Sequence, residues 1–226
     1  MTGEQTTPSL RVLGLLGGIG SGKSSVARFL AKKLPKPAPV LDADAMVAEL
    51  LDRPSTQGII LKLFGESILD ANKKVSRVAL GERCFEDSRL RVALEELLHP
   101  AVREEIRRKL EELQAAGQPS WPLLDVPLLL EGNLHETCDF LIFVDTPDEI
   151  RCQRAWERHG WTRTQWEARE AAQVSLATKR AKADAILCNA ASPEALEESS
   201  QELLATLRAL PPRPLHWPGE DKAPPS

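Results

Sequence analysis

The sequence predicts an α/β fold in which a parallel sheet is flanked by helices. Short apolar runs that suit buried parallel strands alternate along the chain with segments of helical periodicity. This alternation is typical of strands joined by right-handed crossovers. The candidate strands are five such runs, at residues 11–16, 39–42, 121–126, 139–145 and 185–188.

The region between the second and third candidate strands is too long for a simple crossover. Apolar residues recur there every three or four positions, as on the buried face of a helix, until Gly117 ends the pattern: Leu90, Leu94, Leu97, Val102, Ile106, Leu110 and Leu113. We therefore expect an inserted helical subdomain at residues 52–117, between two parts of a core at residues 10–51 and 118–210.

The two ends of the chain differ in pattern from this core. Ser192 followed by Pro193 predicts the start of a last helix that runs to about Leu210, because serine caps helices and proline fits their first turn. Residues 1–9 and the proline-rich residues 211–226 show no periodic pattern, so we expect flexible segments there.

Composition excludes several classes of protein. The 226 residues are 42% hydrophobic and 27% charged, which suits a folded core, and the net charge of -4 does not favour nucleic acid or an anionic membrane as partner. No apolar run approaches the roughly 18 residues of a membrane span, and no signal peptide is evident. The four cysteines are widely spaced, as expected of reduced thiols. Together these features favour a cytoplasmic protein; they leave open whether it is a monomer or a homo-oligomer.

The stretch from Gly17 to Ser24 fits the phosphate-loop pattern G-x-x-x-x-G-K-[ST]. It lies between a candidate strand and an amphipathic helix, the order that this motif requires, whereas a plain glycine-rich turn would need no such order. The expected nucleotide-binding residues are those of the loop and the start of the helix: Gly18, Ile19, Gly20, Ser21, Gly22, Lys23, Ser24 and Ser25. Lys23 would reach the outer phosphates and Ser24 would coordinate Mg²⁺, so a nucleoside triphosphate and Mg²⁺ are the expected ligands.

Two aspartates follow the second candidate strand, where an α/β sheet presents ligands. Asp42 is interpreted as a helix N-cap. Asp44 is expected to face the phosphate loop as the general base that accepts a hydroxyl proton; the alternative is a favourable acid in the first helical turn. Asp125 ends the third strand as a second magnesium residue would, unless it is only a buried structural acid.

Arginines on a later helix supply candidate cations for the transferred phosphoryl group. Arg151, Arg154 and Arg158 recur at i, i+3 and i+7, and Arg163 follows just beyond. We expect Arg154 and Arg158 to belong to a lid at about residues 148–175, although a solvated arginine face is the common alternative. The roles of Arg151 and Arg163 stay open. The guanine-reading pattern of GTPases is absent, because Asn72-Lys73-Lys74 is followed by Val75.

These segments together resemble the dephospho-CoA kinase family, in order, from about residue 12 to residue 203. The specific segments are "VLDADAMVAELL", "LLHPAVREEI" and "DVPLLLE", beside the phosphate loop "GLLGGIGSGKSSVARFL" and the later "VDTPDEIRCQRAWERHGWT". The resemblance implies a P-loop kinase fold and ATP-dependent phosphorylation of the ribose 3'-hydroxyl of dephospho-CoA.

The resemblance also assigns roles by position. It implies that Asp44 is the base, that Arg77 and His99 flank the CoA substrate, and that Asn189 approaches adenine. The family usually has a glycine after this asparagine, where the present sequence has Ala190 and Ala191. From the residues alone two alternatives stay open: another nucleotide or sugar kinase, and a nucleotide-binding regulator without turnover.

Overall fold

The computed structural model describes residues 9–70, 72–189 and 193–219. Of the two predicted flexible ends, residues 1–8 and 220–226 lie outside the described residues, as does the predicted cap Ser192. Residues 211–219 of the predicted tail are described, and Trp217 among them is buried. The strands are β1 (Leu13–Leu16), β2 (Val40–Asp42), β3 (Leu123–Asp125), β4 (Phe140–Asp145) and β5 (Ala185–Cys188). The α-helices of the described chain are α1 (Lys23–Lys33), α2 (Ala43–Asp52), α3 (Pro54–Phe64), α4 (Arg77–Glu86), α5 (Ser88–Ala115), α6 (Asp148–His159), α7 (Arg163–Ala171), α8 (Leu176–Lys182), α9 (Pro193–Ser199) and α10 (Gln201–Ala209).

The five strands form one parallel sheet in the order β2-β3-β1-β4-β5. β1 lies in the middle, so the loop that follows it opens at the carboxyl edge of the sheet, between the ends of β3 and β4. In α/β proteins ligands bind at this edge. The predicted α/β class, with its parallel sheet and flanking helices, is confirmed.

The core of the sheet lies against α1 and α10. Leu13 and Leu15 of β1 are fully buried, and they cluster with Val26, Leu30 and Leu207 from the two helices. These helical residues fall on single faces, as the amphipathic pattern predicted. The packing fixes the axis of α1, and hence the direction in which its first turn points.

The chain divides into two compact units. Residues up to Asp42 and from Leu110 onward form the sheet unit, and Ala43–Lys109 form a helical unit. In the helical unit the carboxylate of Glu105 is buried and accepts hydrogen bonds from Arg108 at 2.5 Å and Arg53 at 3.1 Å. The insertion expected at residues 52–117 overlaps most of this unit.

Two helices differ from the sequence pattern in instructive ways. The expected single last helix consists of α9 and α10, separated at the buried Ser200. Its hydroxyl donates to the backbone oxygen of Glu197 at 2.9 Å, and a serine that bonds back to its own helix bends it. Helix α5 continues through Pro100 and ends shortly before Gly117, whose positive φ of 66° suits a helix stop.

No helix in the described ranges combines the length and apolar character that a bilayer span requires.

Candidate active site

The phosphate loop joins β1 to α1, as the motif predicts. Gly20 and Gly22 have positive φ angles of 81° and 85°, which residues with a Cβ rarely adopt. A Cβ on Gly20 would lie 2.3 Å from the backbone oxygen of Arg151, and one on Gly22 would lie 2.5 Å from the side-chain amide of Asn189. The glycines are therefore required both by conformation and by the close approach of neighbouring segments.

Neighbouring side chains fix the backbone of this loop. The backbone oxygen of Ser21 accepts hydrogen bonds from Thr146 Oγ1 at 3.0 Å and Asn189 Nδ2 at 2.8 Å. The Ser21 amide in turn donates to the backbone oxygen of Gly18 at 3.2 Å, so both polar groups of this residue are fixed. Since the N-cap Gly22 has no side chain with which to cap α1, the first amides and positive dipole end of that helix suit a phosphate group.

Lys23 lies across the loop that precedes it. Its Nζ donates to the backbone oxygens of Gly17 at 3.1 Å and Gly18 at 3.0 Å. Burial, together with the positive charge of Lys179, lowers the pKa of Lys23 from 10.5 to about 8. An anion in the loop would oppose both effects, because it would add negative charge beside the Lys23 ammonium.

Asp125 lies at the carboxyl end of β3, in register with Asp42 at the end of β2. The Asp125 side chain is buried, and its negative charge raises the pKa of Lys23 against the effect of burial. Ser24, one residue after Lys23, adds a hydroxyl in the first turn of α1. Carboxylate and hydroxyl oxygens are hard donors of the kind that Mg²⁺ prefers. Within the described ranges no three His, Cys, Asp or Glu residues cluster in a way that could hold a metal ion.

The arginines of α6 have unlike surroundings. Arg151 is buried and forms ion pairs with Glu170 at 2.7 Å and Asp148 at 2.8 Å. Arg154 is half-buried, with its guanidinium 3.4 Å from the backbone oxygens of Gly20 and Ser21. Arg158 is exposed. A shared helix face therefore does not give these three side chains the same surroundings.

Several groups beside the loop were missed by the sequence reasoning. Glu170 accepts a hydrogen bond from the Ile19 amide at 3.0 Å, and Trp166 Nε1 donates to the Ile19 oxygen at 3.3 Å. Lys179 is buried and donates to Gln173 at 2.7 Å. Glu170 and Lys179 occur in strongly charged helical segments, where exposed side chains are the rule, so no sequence signal distinguishes them.

The other predicted site residues belong to the helical unit. Asp44 is exposed in the first turn of α2. Arg77 begins α4, whose N-cap Ser76 accepts a hydrogen bond from the Ala79 amide at 3.3 Å. Its guanidinium donates to the backbone oxygen of Ala48 at 3.4 Å, one helical turn beyond Asp44. His99 is exposed on α5, immediately before Pro100.

Known proteins resemble the chain over most of its length. The sequence model of the dephospho-CoA kinase family, CoaE, matches residues 11–194. The dephospho-CoA kinase of Anaeromyxobacter dehalogenans is 38% identical over 201 residues, which are 88% of this chain and 93% of that protein. That of Methylococcus capsulatus is 39% identical over 188 residues, covering 82% of this chain and 91% of its own.

Solved structures share the fold of this chain. A crystal structure of a Thermus thermophilus protein, 34% identical, covers 87% of this chain and 97% of its own with a TM-score of 0.68. The dephospho-CoA kinase of Campylobacter jejuni shares the fold, with a TM-score of 0.64 at 22% identity, over 88% of this chain and 98% of its own. The chain therefore belongs to the dephospho-CoA kinase family, P-loop transferases of the last step of coenzyme A synthesis.

Proposed function

We propose that this chain transfers the γ-phosphoryl group of ATP to the ribose 3'-hydroxyl of dephospho-CoA, giving coenzyme A and ADP. The observation that carries the proposal is the phosphate loop. Its glycine conformations, its tied carbonyls and the Lys23 ammonium together form a preorganised anion site. In the reaction the 3'-oxygen forms a bond to the γ-phosphorus, the bond from that phosphorus to the bridging oxygen breaks, and ADP leaves.

The donor site is built from the start of α1 and the ends of the central strands. Residues Gly18 to Ser25 would enclose the phosphates, with backbone amides that follow Ile19 as the donors, and Lys23 would neutralise charge on the outer phosphates. Ser24 and Asp125 would hold Mg²⁺, Asp125 through a water molecule, since both supply hard oxygen donors. When bound, the ion offsets charge on the phosphate oxygens.

The proposed base is Asp44. Its carboxylate is exposed in the first turn of α2, where it can accept the proton of a sugar hydroxyl. Arg77 and His99 of the same unit are proposed to flank the CoA substrate. The guanidinium of Arg77 suits the phosphate groups of that molecule. Residues 52–117 would then be the part of the chain that binds the acceptor.

The proposed lid, at about residues 148–175, contributes Arg154 and Arg158. Their positive charge would stabilise the phosphoryl group in transit, when its oxygens carry the most negative charge. Asn189 is proposed to approach adenine, as the family resemblance implies, and its side-chain amide also fixes the phosphate loop through the Ser21 oxygen. The four cysteines are free thiols, which supports the proposal that the protein acts in the reducing cytoplasm.

ADP release with a panel of acceptors tests the function. Purified protein is mixed with ATP, Mg²⁺ and one acceptor at a time: dephospho-CoA, a nucleoside, a sugar or none. We expect release with dephospho-CoA to exceed the other rates by at least about 100-fold, as expected where acceptor binding energy is used in the transition state. Preferred turnover of a nucleoside or sugar would assign another kinase. ATP binding without turnover of any acceptor would instead assign a regulator.

A further inference from the structure

The peptide group of Ile19, within the phosphate loop, is held from both sides by side chains of α6 and α7. Its amide donates to Glu170 Oε2 at 3.0 Å, and its oxygen accepts from Arg151 Nη1 and Trp166 Nε1, each at 3.3 Å. Arg151 Nη1 also contacts Glu170 Oε2 at 2.7 Å. One ion pair and one indole therefore satisfy both hydrogen-bonding groups of a single peptide.

This contact is buried, and its guanidinium is paired with carboxylates. The side chains of Arg151 and Trp166 are almost fully buried, and the guanidinium lies 4.9 Å from the centre of the indole ring. The Glu170 side chain is only 18% exposed. The buried guanidinium is tolerated because Glu170 and Asp148 both pair with it, and Glu170 is tolerated beside the phosphate loop because Arg151 offsets its charge.

The same contact explains Gly18. A Cβ at this position would lie 2.0 Å from Arg151 Nη1 and 2.6 Å from Glu170 Oε1. The requirement for glycine at this position thus arises from the packing of the ion pair on the loop. Three glycines of the loop, Gly17, Gly20 and Gly22, have positive φ angles, and such a glycine-rich segment loses much backbone entropy when it becomes ordered. Fixing its middle peptide lowers the cost of ordering the loop around phosphate.

We propose that Arg151, Glu170 and Trp166 are positioning residues for ATP: they hold the Ile19 peptide and so keep the phosphate loop in its binding conformation. The three residues act through the loop, not on the reacting atoms. Because the Ile19 amide is already bonded to Glu170, the phosphates are left to the later amides of the loop. The kinetic part of this inference rests on the proposed function, whereas its nucleotide-binding part does not.

The test is a double-mutant cycle read by direct binding of ADP. The variants are Arg151→Gln, Glu170→Gln and the double variant, with Glu167→Gln as control on the same helix, where Glu167 is 57% exposed. We expect each single change to weaken ADP binding by about tenfold, in the range of coupling between buried charged partners. Arg151→Gln should be the worse, because it leaves the Glu170 carboxylate unneutralised beside the phosphates.

The double variant separates positioning from loss of fold. It removes both charges, so we expect it to bind ADP more tightly than Arg151→Gln does, and the control to bind like the unaltered chain. Melting temperatures measured on the same samples show how much of each protein is folded. In turnover assays the KM for ATP should rise while the KM for dephospho-CoA stays unchanged.

Two outcomes would overturn the inference. If Glu170→Gln bound ADP more tightly than the unaltered chain, the carboxylate would be a competitor of the phosphates and not a support of the loop. If both single variants bound ADP normally, the contact would have no part in nucleotide binding. Failure of the proposed function gives a different result. The variants would then show the expected differences in ADP affinity, but the unaltered chain would not phosphorylate dephospho-CoA.

Discussion

The side-chain amide of Asn189 lies 2.8 Å from the backbone oxygen of Ser21, to which it donates a hydrogen bond. This bond connects the end of β5 with the phosphate loop after β1, although β4 lies between these two strands in the sheet. Thr146, which follows β4, donates to the same oxygen at 3.0 Å. The loop is therefore tied to the carboxyl ends of two further strands, and changes on either side of it should affect nucleotide binding.

Gly20→Ala should damage the loop, because alanine at a φ of 81° is strained and its Cβ would lie 2.3 Å from the backbone of α6. The left-handed conformation alone costs about 1–2 kcal/mol, and the backbone contact adds to this. We expect a lower melting temperature and at least about tenfold weaker ADP binding, which is the effect of roughly 1.4 kcal/mol. The control is Gly81→Ala in α4, where a Cβ meets no atom within 4 Å. Equal effects of the two changes would contradict the account.

The pKa of Lys23, lowered from 10.5 to about 8 by burial and then by Lys179, predicts a pH dependence of ATP binding. The phosphates need the ammonium form, so above pH 8 binding must take up a proton and the KM for ATP should rise by up to about tenfold per pH unit. Bound triphosphate raises the pKa of Lys23, so kcat should stay constant up to a higher pH than the KM for ATP does. Lys179→Met should move the rise in KM to higher pH, and a KM that is flat from pH 7 to 10 would refute the assignment.

Lys23 also affects the free energy of unfolding, and this contribution changes with pH in the direction opposite to that of ATP binding. The folded chain disfavours the ammonium, so between pH 8 and 10.5 the unfolded chain binds more protons at this residue. The contribution of Lys23 to the free energy of unfolding therefore increases with pH across this window. ATP binding and unliganded stability should consequently change in opposite directions there, which denaturant titrations with and without ADP can measure.

Arg154 and Arg158 should respond differently to replacement by methionine. Arg154→Met removes a guanidinium that lies 3.4 Å from two loop carbonyls, so it should lower both the melting temperature and kcat. Arg158 is exposed, and Arg158→Met should lower kcat, by up to roughly 100-fold, without a change in melting temperature. Arg28→Met, at an exposed position on α1, is the control. If kcat were normal in the Arg158 variant, this residue would belong to a solvated helix face.

Asp44→Asn should retain ATP and dephospho-CoA binding but lower kcat by roughly 100- to 10,000-fold, the range for a positioned general base. Asp52→Asn is the control, since this residue is also exposed and ends the same helix. Asp42→Asn should mainly affect stability, by about 1 kcal/mol or less, because asparagine caps helices nearly as well as aspartate. If Asp42→Asn abolished turnover and Asp44→Asn did not, the base would be Asp42.

The sequence predicted those features that depend on local pattern. The order of strand, loop and helix around Lys23 follows from the motif, and the five strands follow from apolar runs, although β3 is shorter than its run. The contacts of Arg151 could not be predicted in this way. Helical spacing placed it on a face with Arg154 and Arg158, but its burial depends on Glu170, which is 19 residues further along the chain. Such ion pairs depend on how helices pack, which periodicity does not record.

The most direct test of the account is the identity of the product that forms from ATP and dephospho-CoA. ATP labelled with ¹⁸O in its γ-phosphoryl group is used as donor, and the product is analysed by mass spectrometry and ³¹P NMR. The account predicts that the labelled group appears as a monoester on the ribose 3'-oxygen, and that 3'-deoxy-dephospho-CoA yields no product. Label found only in inorganic phosphate, or phosphorylation of the 3'-deoxy compound, would contradict it.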